Sequence, residues 1–231
     1  MRRAAAASLL SLALVCGARA GEVPGATIVL EADPGTPGSD PSGAPPRFVL
    51  MKDGQVFVGG TARLEAGRLD KVEAAALEKR VDAVRRLRLS SPVALGGDAS
   101  RTARLHLLDG RPLEIVVNGD PARATPALAP LASLVTDLLR YHHPSLRPYA
   151  PASYAMTVRE GRTVGGCRPW AFAFPIADAL AGPRTVTADE AKGWPTGARP
   201  ASVCADGSGP STTASRHYIV TLRPLLPGER P

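Results

Sequence analysis

The residues able to do chemistry are three cysteines, four histidines and a scatter of acids, and they are sparsely placed. Cys16 falls in an apolar N-terminal run, which leaves Cys167 and Cys204. Neither has a C-x-x-C neighbour, and no His or acid stands beside them at a ligand offset along the chain. Two such cysteines in an exported chain point to a Cys167–Cys204 disulfide, with a thiol nucleophile or a metal ligand as the competing use. His106 alternates with Leu105 and Leu107 and so belongs to the solvent face of a strand. His142 and His143 end a helix, where an imidazole serves the last carbonyls and the dipole, and His217 opens a strand. No pair of histidines has the spacing of a preformed half-site, so no metal site is assigned.

G-x-S-x-G, the P-loop, G-x-G-x-x-G and H-E-x-x-H are all missing. Gly207-Ser208-Gly209 comes nearest to a nucleophile turn, and it sits in a polar loop. Arg159-Glu160 suits a surface, and Asp189-Glu190 suits the first turn of a short helix. No catalytic residue and no cofactor follow from these patterns. Recognition has better candidates. Gly165-Gly166-Cys167-Arg168-Pro169-Trp170 and Gly193-Trp194-Pro195-Thr196-Gly197 each set a Trp beside Pro and Gly near a cysteine. Trp and Arg on tethered loops are the types enriched in binding hot spots, which nominates Arg168, Trp170 and Trp194. The competing use of the two indoles is to cover the disulfide and fill a small core.

The elements that would carry these residues can be read from patterning. Phe48 to Met51 and Val56 to Val58 flank Asp53-Gly54, a hairpin signal, and both faces of this hairpin are apolar and need cover. A further strand is expected over Thr61 to Leu69. Asp70 and Glu73 form a capping-box pair ahead of a helix whose core face is Val72, Leu77, Val81, Val84 and Leu87, ending near Ser90-Ser91-Pro92. A second hairpin turns at Leu108-Asp109-Gly110. A three-residue loop there puts Leu105 opposite Leu113, Ala103 opposite Ile115 and Arg104 opposite Glu114. Thr125-Pro126 starts a second helix carrying Leu128, Leu131, Val135, Leu138 and Leu139. The two Asp-Gly turns suggest a duplicated strands-then-helix unit. Beyond Ser145, strands are expected at Tyr154 to Arg159, Ala171 to Phe174 and His217 to Leu222, with a short helix at Ala188 to Lys192.

Composition and charge set the compartment. Arg2-Arg3, the apolar run Ala4 to Gly17 and the Ala18-x-Ala20 box read as a signal peptide cleaved after Ala20. Leu14-Val15 ahead of Cys16 is a poor lipoprotein site. Removing residues 1–20 takes away Arg2, Arg3 and Arg19, and the formal charge falls from +7 to +4. The densest basic run, Lys79-Arg80 with Arg85, Arg86 and Arg88, is interleaved with Glu78 and Asp82 on a helix and reads as a solvated face, so no nucleic acid is expected as a partner. After the leader no stretch reaches the roughly 18 apolar residues of a membrane span. Ala26 to Glu31 could form a short edge strand. From Pro34 to Pro46, eight of thirteen residues are Gly or Pro, which makes a tether.

The layout Arg47 to Tyr149, with its Asp53-Gly54 hairpin, Gly67-Arg68-Leu69 before a helix, second hairpin and Leu-rich helix, resembles a class of exported bacterial domains of unknown function. The resemblance implies an α+β fold and export and carries no activity. The expected organisation is a signal peptide at 1–20, a Pro/Gly-rich linker at 21–46, an α+β domain at 47–144 and a loop-rich β region at 145–231. That is an antiparallel sheet with two packed helices, then a disulfide-stapled, mostly β region that shares its core or stands beside it. The expected function is non-catalytic: a binding or structural protein of the periplasm or exterior, with another envelope or extracellular protein as partner. The alternative is a small exported hydrolase or a protease inhibitor acting through the Cys167–Cys204 loops.

Overall fold

The computed structural model describes residues 23–32, 47–59, 64–97, 101–161, 166–196, 200–205 and 216–231. The leader at 1–20, the tether at 34–46 and the Gly207-Ser208-Gly209 string lie outside the described residues. The architecture is α+β, with two sheets and three helices among the described residues.

The first sheet has the order β5-β7-β6-β1-β2-β3-β4-β8. Its strands are β1 (Ala26–Ala32), β2 (Phe48–Met51), β3 (Gln55–Gly59), β4 (Leu64–Arg68), β5 (Val93–Gly96), β6 (Thr102–Leu107), β7 (Leu113–Gly119) and β8 (Arg147–Pro148). All neighbours are antiparallel except β5 and β7. The segment expected as an edge strand is β1, and it lies in the interior of the sheet between β2 and β6. Both of its faces are apolar, Ile28 and Leu30 toward one core and Val29 toward another. An edge position would leave such a strand with unpaired backbone and exposed hydrocarbon.

The first hairpin closes as expected. Gly54 N–H donates to the Met51 carbonyl at 2.9 Å, Asp53 Oδ1 accepts from Gln55 N–H at 3.0 Å, and Arg68 on β4 pairs with Asp53 at 3.0 Å. Phe48, Val56 and Val58 face one core, while Val49 and Phe57 face the other.

Helix α1 (Lys71–Arg85) begins with the full capping box. Asp70 Oδ1 accepts from Val72 and Glu73 N–H, both at 2.8 Å, and Glu73 Oε2 accepts from Asp70 N–H at 3.1 Å. Leu77 and Val84 are buried, and Val81 and Leu87 pack beside them. Val72 was expected on that face and is 78% exposed. At about 100° per residue it lies well around the helix from Leu77 and Val84. Helix α2 (Ala129–Leu139) follows a 3-10 turn at Pro126–Leu128 and buries Leu131, Leu134, Val135 and Leu138. The two helices run antiparallel on one face of the sheet, where Arg80 bonds Ser133 and Asp137.

The second hairpin forms with a longer loop than expected. The ladder pairs Leu105 with Ile115, Ala103 with Val117 and His106 with Glu114, so the loop is 108–112 rather than three residues. The shift is two residues, and the buried face is unchanged because side chains alternate with period two. Strand β5, which the sequence did not suggest, adds a parallel edge. There Gly119 packs so closely on Gly96 that a Cβ would overlap the Gly96 carbonyl oxygen.

The second sheet has the order β10-β12-β13-β9-β11, with β9 (Ser153–Glu160), β10 (Arg168–Pro169), β11 (Arg184–Thr187), β12 (Ala201–Ala205) and β13 (Arg216–Pro224). Strands β9 and β13 are the ones expected. Ala171 to Phe174 is a bend rather than a strand, because Trp170 Nε1–H donates to the Phe174 carbonyl at 2.6 Å and curls the segment. The helix expected at 188–192 is a turn, with Thr187 and Glu190 bonding each other reciprocally before Gly193 and Pro195 stop it. The short helix here is α3 (Ile176–Leu180).

The chain after β13 returns to the first sheet. Leu226, Val23, Tyr149 and Leu64 pack on Val29, Val49 and Phe57, opposite the helices. Tyr149 O–H donates to the Leu225 carbonyl at 3.2 Å, and a buried Arg223–Glu229 pair at 2.6 Å holds the tail in its turn. The first hairpin is thereby covered on both sides.

Candidate functional site

The residues nominated for binding converge. Residues Gly166 to Phe174 and the 188–194 turn meet at one side of the second sheet, and their side chains form a continuous run of ring contacts. The Arg168 guanidinium lies 5.0 Å over the Trp194 ring, and Trp194 tilts on Phe172 at 4.6 Å. Phe172 stacks on Phe174 at 5.6 Å, and Arg184 caps Phe174 at 4.5 Å. Trp170 leans against both Phe rings, at 5.0 Å and 5.7 Å. Trp194 is thus held between a cation and a ring. Trp170 and Trp194 are half-buried and pack on the core of Met156, Val186, Val203, Tyr218, Val220 and Leu222. The indoles therefore have packing work of their own.

The two arginines differ in what they have left to offer. Arg184 pairs with Asp178 at 3.2 Å. Arg168 is exposed, donates from Nη1 to the Gly193 carbonyl at 3.0 Å, and has no ion pair among the described residues. Stacking and the carbonyl bond hold its guanidinium in place, and the remaining donors of the planar fork can meet a carboxylate or phosphate. The turn that presents Gly193 is secured by Glu190. Hydrogen bonds from the Thr187 backbone and hydroxyl hold the Glu190 carboxyl below its usual range.

Cys167 and Cys204 form the expected disulfide, which ties Arg168 to the second sheet. The bridge suits an oxidising, exported location. His217 is the neighbour that sequence spacing did not reveal. Antiparallel pairing of β12 and β13 sets it opposite Cys204, and its Nδ1 lies 3.4 Å from the Cys204 sulfur. One ligand atom from each of Cys167, Cys204 and His217 falls within 4.8 Å of the others, but the sulfurs are bonded to one another and offer no thiolate.

The other histidines are placed as follows. His106 is half-buried, 3.9 Å from Glu31, and His142 is exposed. His143 joins a second constellation that sequence reasoning missed. Its Nε2 lies 3.0 Å from Glu73 Oε1, and its Nδ1 lies 2.6 Å from Ser145 Oγ and accepts from Ser145 N–H at 3.2 Å. The backbone donor makes Nδ1 the acceptor, so Nε2 carries the proton given to Glu73. Glu73 also closes the capping box of α1, and the trio ties the end of α2 to the start of α1.

Among the described residues no helix is long and apolar enough to cross a membrane. Compared with protein-family models, curated proteins and solved structures, the chain matches none of them.

Proposed function

We propose that this protein is an exported binding protein whose contact surface is the Arg168–Trp194 loop pair, and that it docks an acidic surface on another envelope or extracellular protein. The observation that carries the reading is Arg168 itself: exposed, without an ion pair among the described residues, and locked over Trp194 by the stack and the Gly193 carbonyl. A guanidinium held in place before binding loses less freedom on contact, and Arg beside Trp is the pairing that binding hot spots favour. The disulfide next to it, the signal-peptide pattern and the Gly/Pro-rich tether support export.

The test compares wild-type and Arg168→Ala protein in crosslinked recovery from an envelope fraction. Loss of a hot-spot arginine should lower recovery of the specific partner about tenfold, with the melting temperature unchanged and with the wild-type interaction weakened by salt. Equal recovery by both proteins would sink the proposal. Trp170→Ala and Trp194→Ala are less discriminating, because each also removes core packing.

Hydrolysis is the second reading, and the Glu73–His143–Ser145 trio is the observation that favours it. A hydroxyl hydrogen-bonded to an imidazole that is oriented by a carboxylate is the arrangement of an activated nucleophile. The helix-end tie accounts for the same contacts. Covalent labelling of Ser145 by a fluorophosphonate, lost in His143→Ala, would establish hydrolysis; an unlabelled Ser145 would leave the trio as a helix-end tie.

A further inference from the structure

The Cys167–Cys204 bridge is unsymmetrical. Cys167 stands exposed just ahead of β10, whereas Cys204 is half-buried on β12, between β10 and β13. The Cys204 sulfur has the His217 Nδ1 at 3.4 Å. A disulfide sulfur gains little from an imidazole. A thiolate gains a great deal, because a ring N–H or an imidazolium beside it stabilises the negative charge and makes that sulfur the better leaving group. Exposure thus favours attack at one sulfur and the imidazole favours departure of the other.

We propose that Cys167–Cys204 is a thiol–disulfide exchange site of fixed polarity, opened by an external dithiol. The first thiol of that reductant loses its proton to solvent, and its thiolate attacks the exposed Cys167 sulfur. A bond forms between the reductant and Cys167, the Cys167–Cys204 bond breaks, and its electron pair leaves on Cys204 as a thiolate beside His217. The second thiol of the reductant then loses its proton and attacks its own sulfur in the mixed disulfide, releasing Cys167 as a thiolate that takes up a proton. The reductant is oxidised by two electrons to its disulfide, and this protein is reduced by two electrons. Cys167 ends as a thiol and Cys204 as a thiolate beside His217, which takes up the second released proton from solvent when it is protonated. His217 acts on the departing sulfur and on no other step. The proposal is independent of the binding surface, since it needs neither Arg168 nor a protein partner of acidic character.

The experiment uses the whole mature protein under native conditions. Dithiothreitol is the dithiol probe, with alkylation of freed thiols at timed intervals and mass spectrometry of the products. His217→Gln should slow reduction by about threefold to tenfold while the melting temperature of the oxidised protein stays at the wild-type value. In a second arm, glutathione, which cannot complete the second step within its own molecule, should be trapped as a mixed disulfide on Cys167 with Cys204 alkylated. Equal rates for wild type and variant, or trapping mainly on Cys204, would overturn the proposal. If His217→Gln does not fold, the wild type still decides the matter. Trapping on Cys167 at a rate well above that of global unfolding supports the site, and reduction that only keeps pace with unfolding refutes it.

Discussion

The Tyr141 hydroxyl is buried without a hydrogen-bond partner among the described residues. Its ring packs edge-on against Phe48 at 5.1 Å, and that contact fixes where the hydroxyl must sit. Burial first, then the charges of Glu73 and Asp70, push the phenol up to about 12. An unsatisfied buried hydroxyl costs about 1 kcal/mol or more, so Tyr141→Phe should raise stability by about 1 kcal/mol in urea unfolding at neutral pH. The pH dependence has a definite sign. Below the ordinary tyrosine value of 10 both folded and unfolded chains keep the proton. From there toward about 12 only the unfolded chain ionises freely, so stability falls as pH rises through that window. The advantage of the Phe variant should widen over the same window. A less stable variant would show that the hydroxyl has a stabilising partner.

At the scale of elements, the second hairpin shows how a loop is chosen. A five-residue loop keeps Pro112, which has no N–H, out of the ladder. It also presents the carbonyls of Leu107, Asp109 and Arg111 to the Arg85 guanidinium at the end of α1. Gly110 sits at φ +65° with nothing within 4 Å of where a Cβ would stand. The penalty of a side chain there is therefore conformational. Gly110→Val should lower stability by roughly 1–2 kcal/mol, read as a reduced urea midpoint with an unchanged slope. A melting curve that matches wild type would mean that the loop has another conformation open to it. The capping box of α1, the Asp53-Gly54 turn and the burial of Leu77, Val84, Leu131, Val135 and Leu138 were all legible, because each signal lies within a few residues of the structure it specifies. The place of β1 inside the sheet was not, since strand order depends on partners far along the chain.

For the whole molecule, the decisive contact is the tail. Residues 224–229 lie across the face of the first sheet that the helices leave open, and Tyr149 O–H and the buried Arg223–Glu229 pair fasten them. Burial pushes the Tyr149 phenol up, and the neighbouring Glu229 charge adds to it. Glu229 also accepts from Leu226 N–H at 2.9 Å, so one carboxylate satisfies both a buried cation and a buried backbone donor. Glu229→Ala would strand both and should cost about 3–5 kcal/mol. The check is chemical denaturation together with proteolysis near the C-terminus, and a loss below about 1 kcal/mol would show that the tail is not needed to cover the sheet.

By itself the sequence determined the α+β class, the two hairpins, the two long helices and the capping box of the first, and the pairing of Cys167 with Cys204. Turn, cap and period-two or period-3.6 signals act within one or two turns of backbone, and only two cysteines remain after the leader pattern. Tertiary structure alone decided the interior position of β1 and the two-residue register of the second hairpin. It alone set the tail on the first sheet, the meeting of Arg168 with Trp194, and the approach of His217 to Cys204 and of His143 to Glu73. These pairings join residues from separate elements, and nothing in local propensity distinguishes one such pairing from its competitors. Which of them forms is decided by the burial of both faces of a sheet and by the hydrogen bonds that strand order makes available.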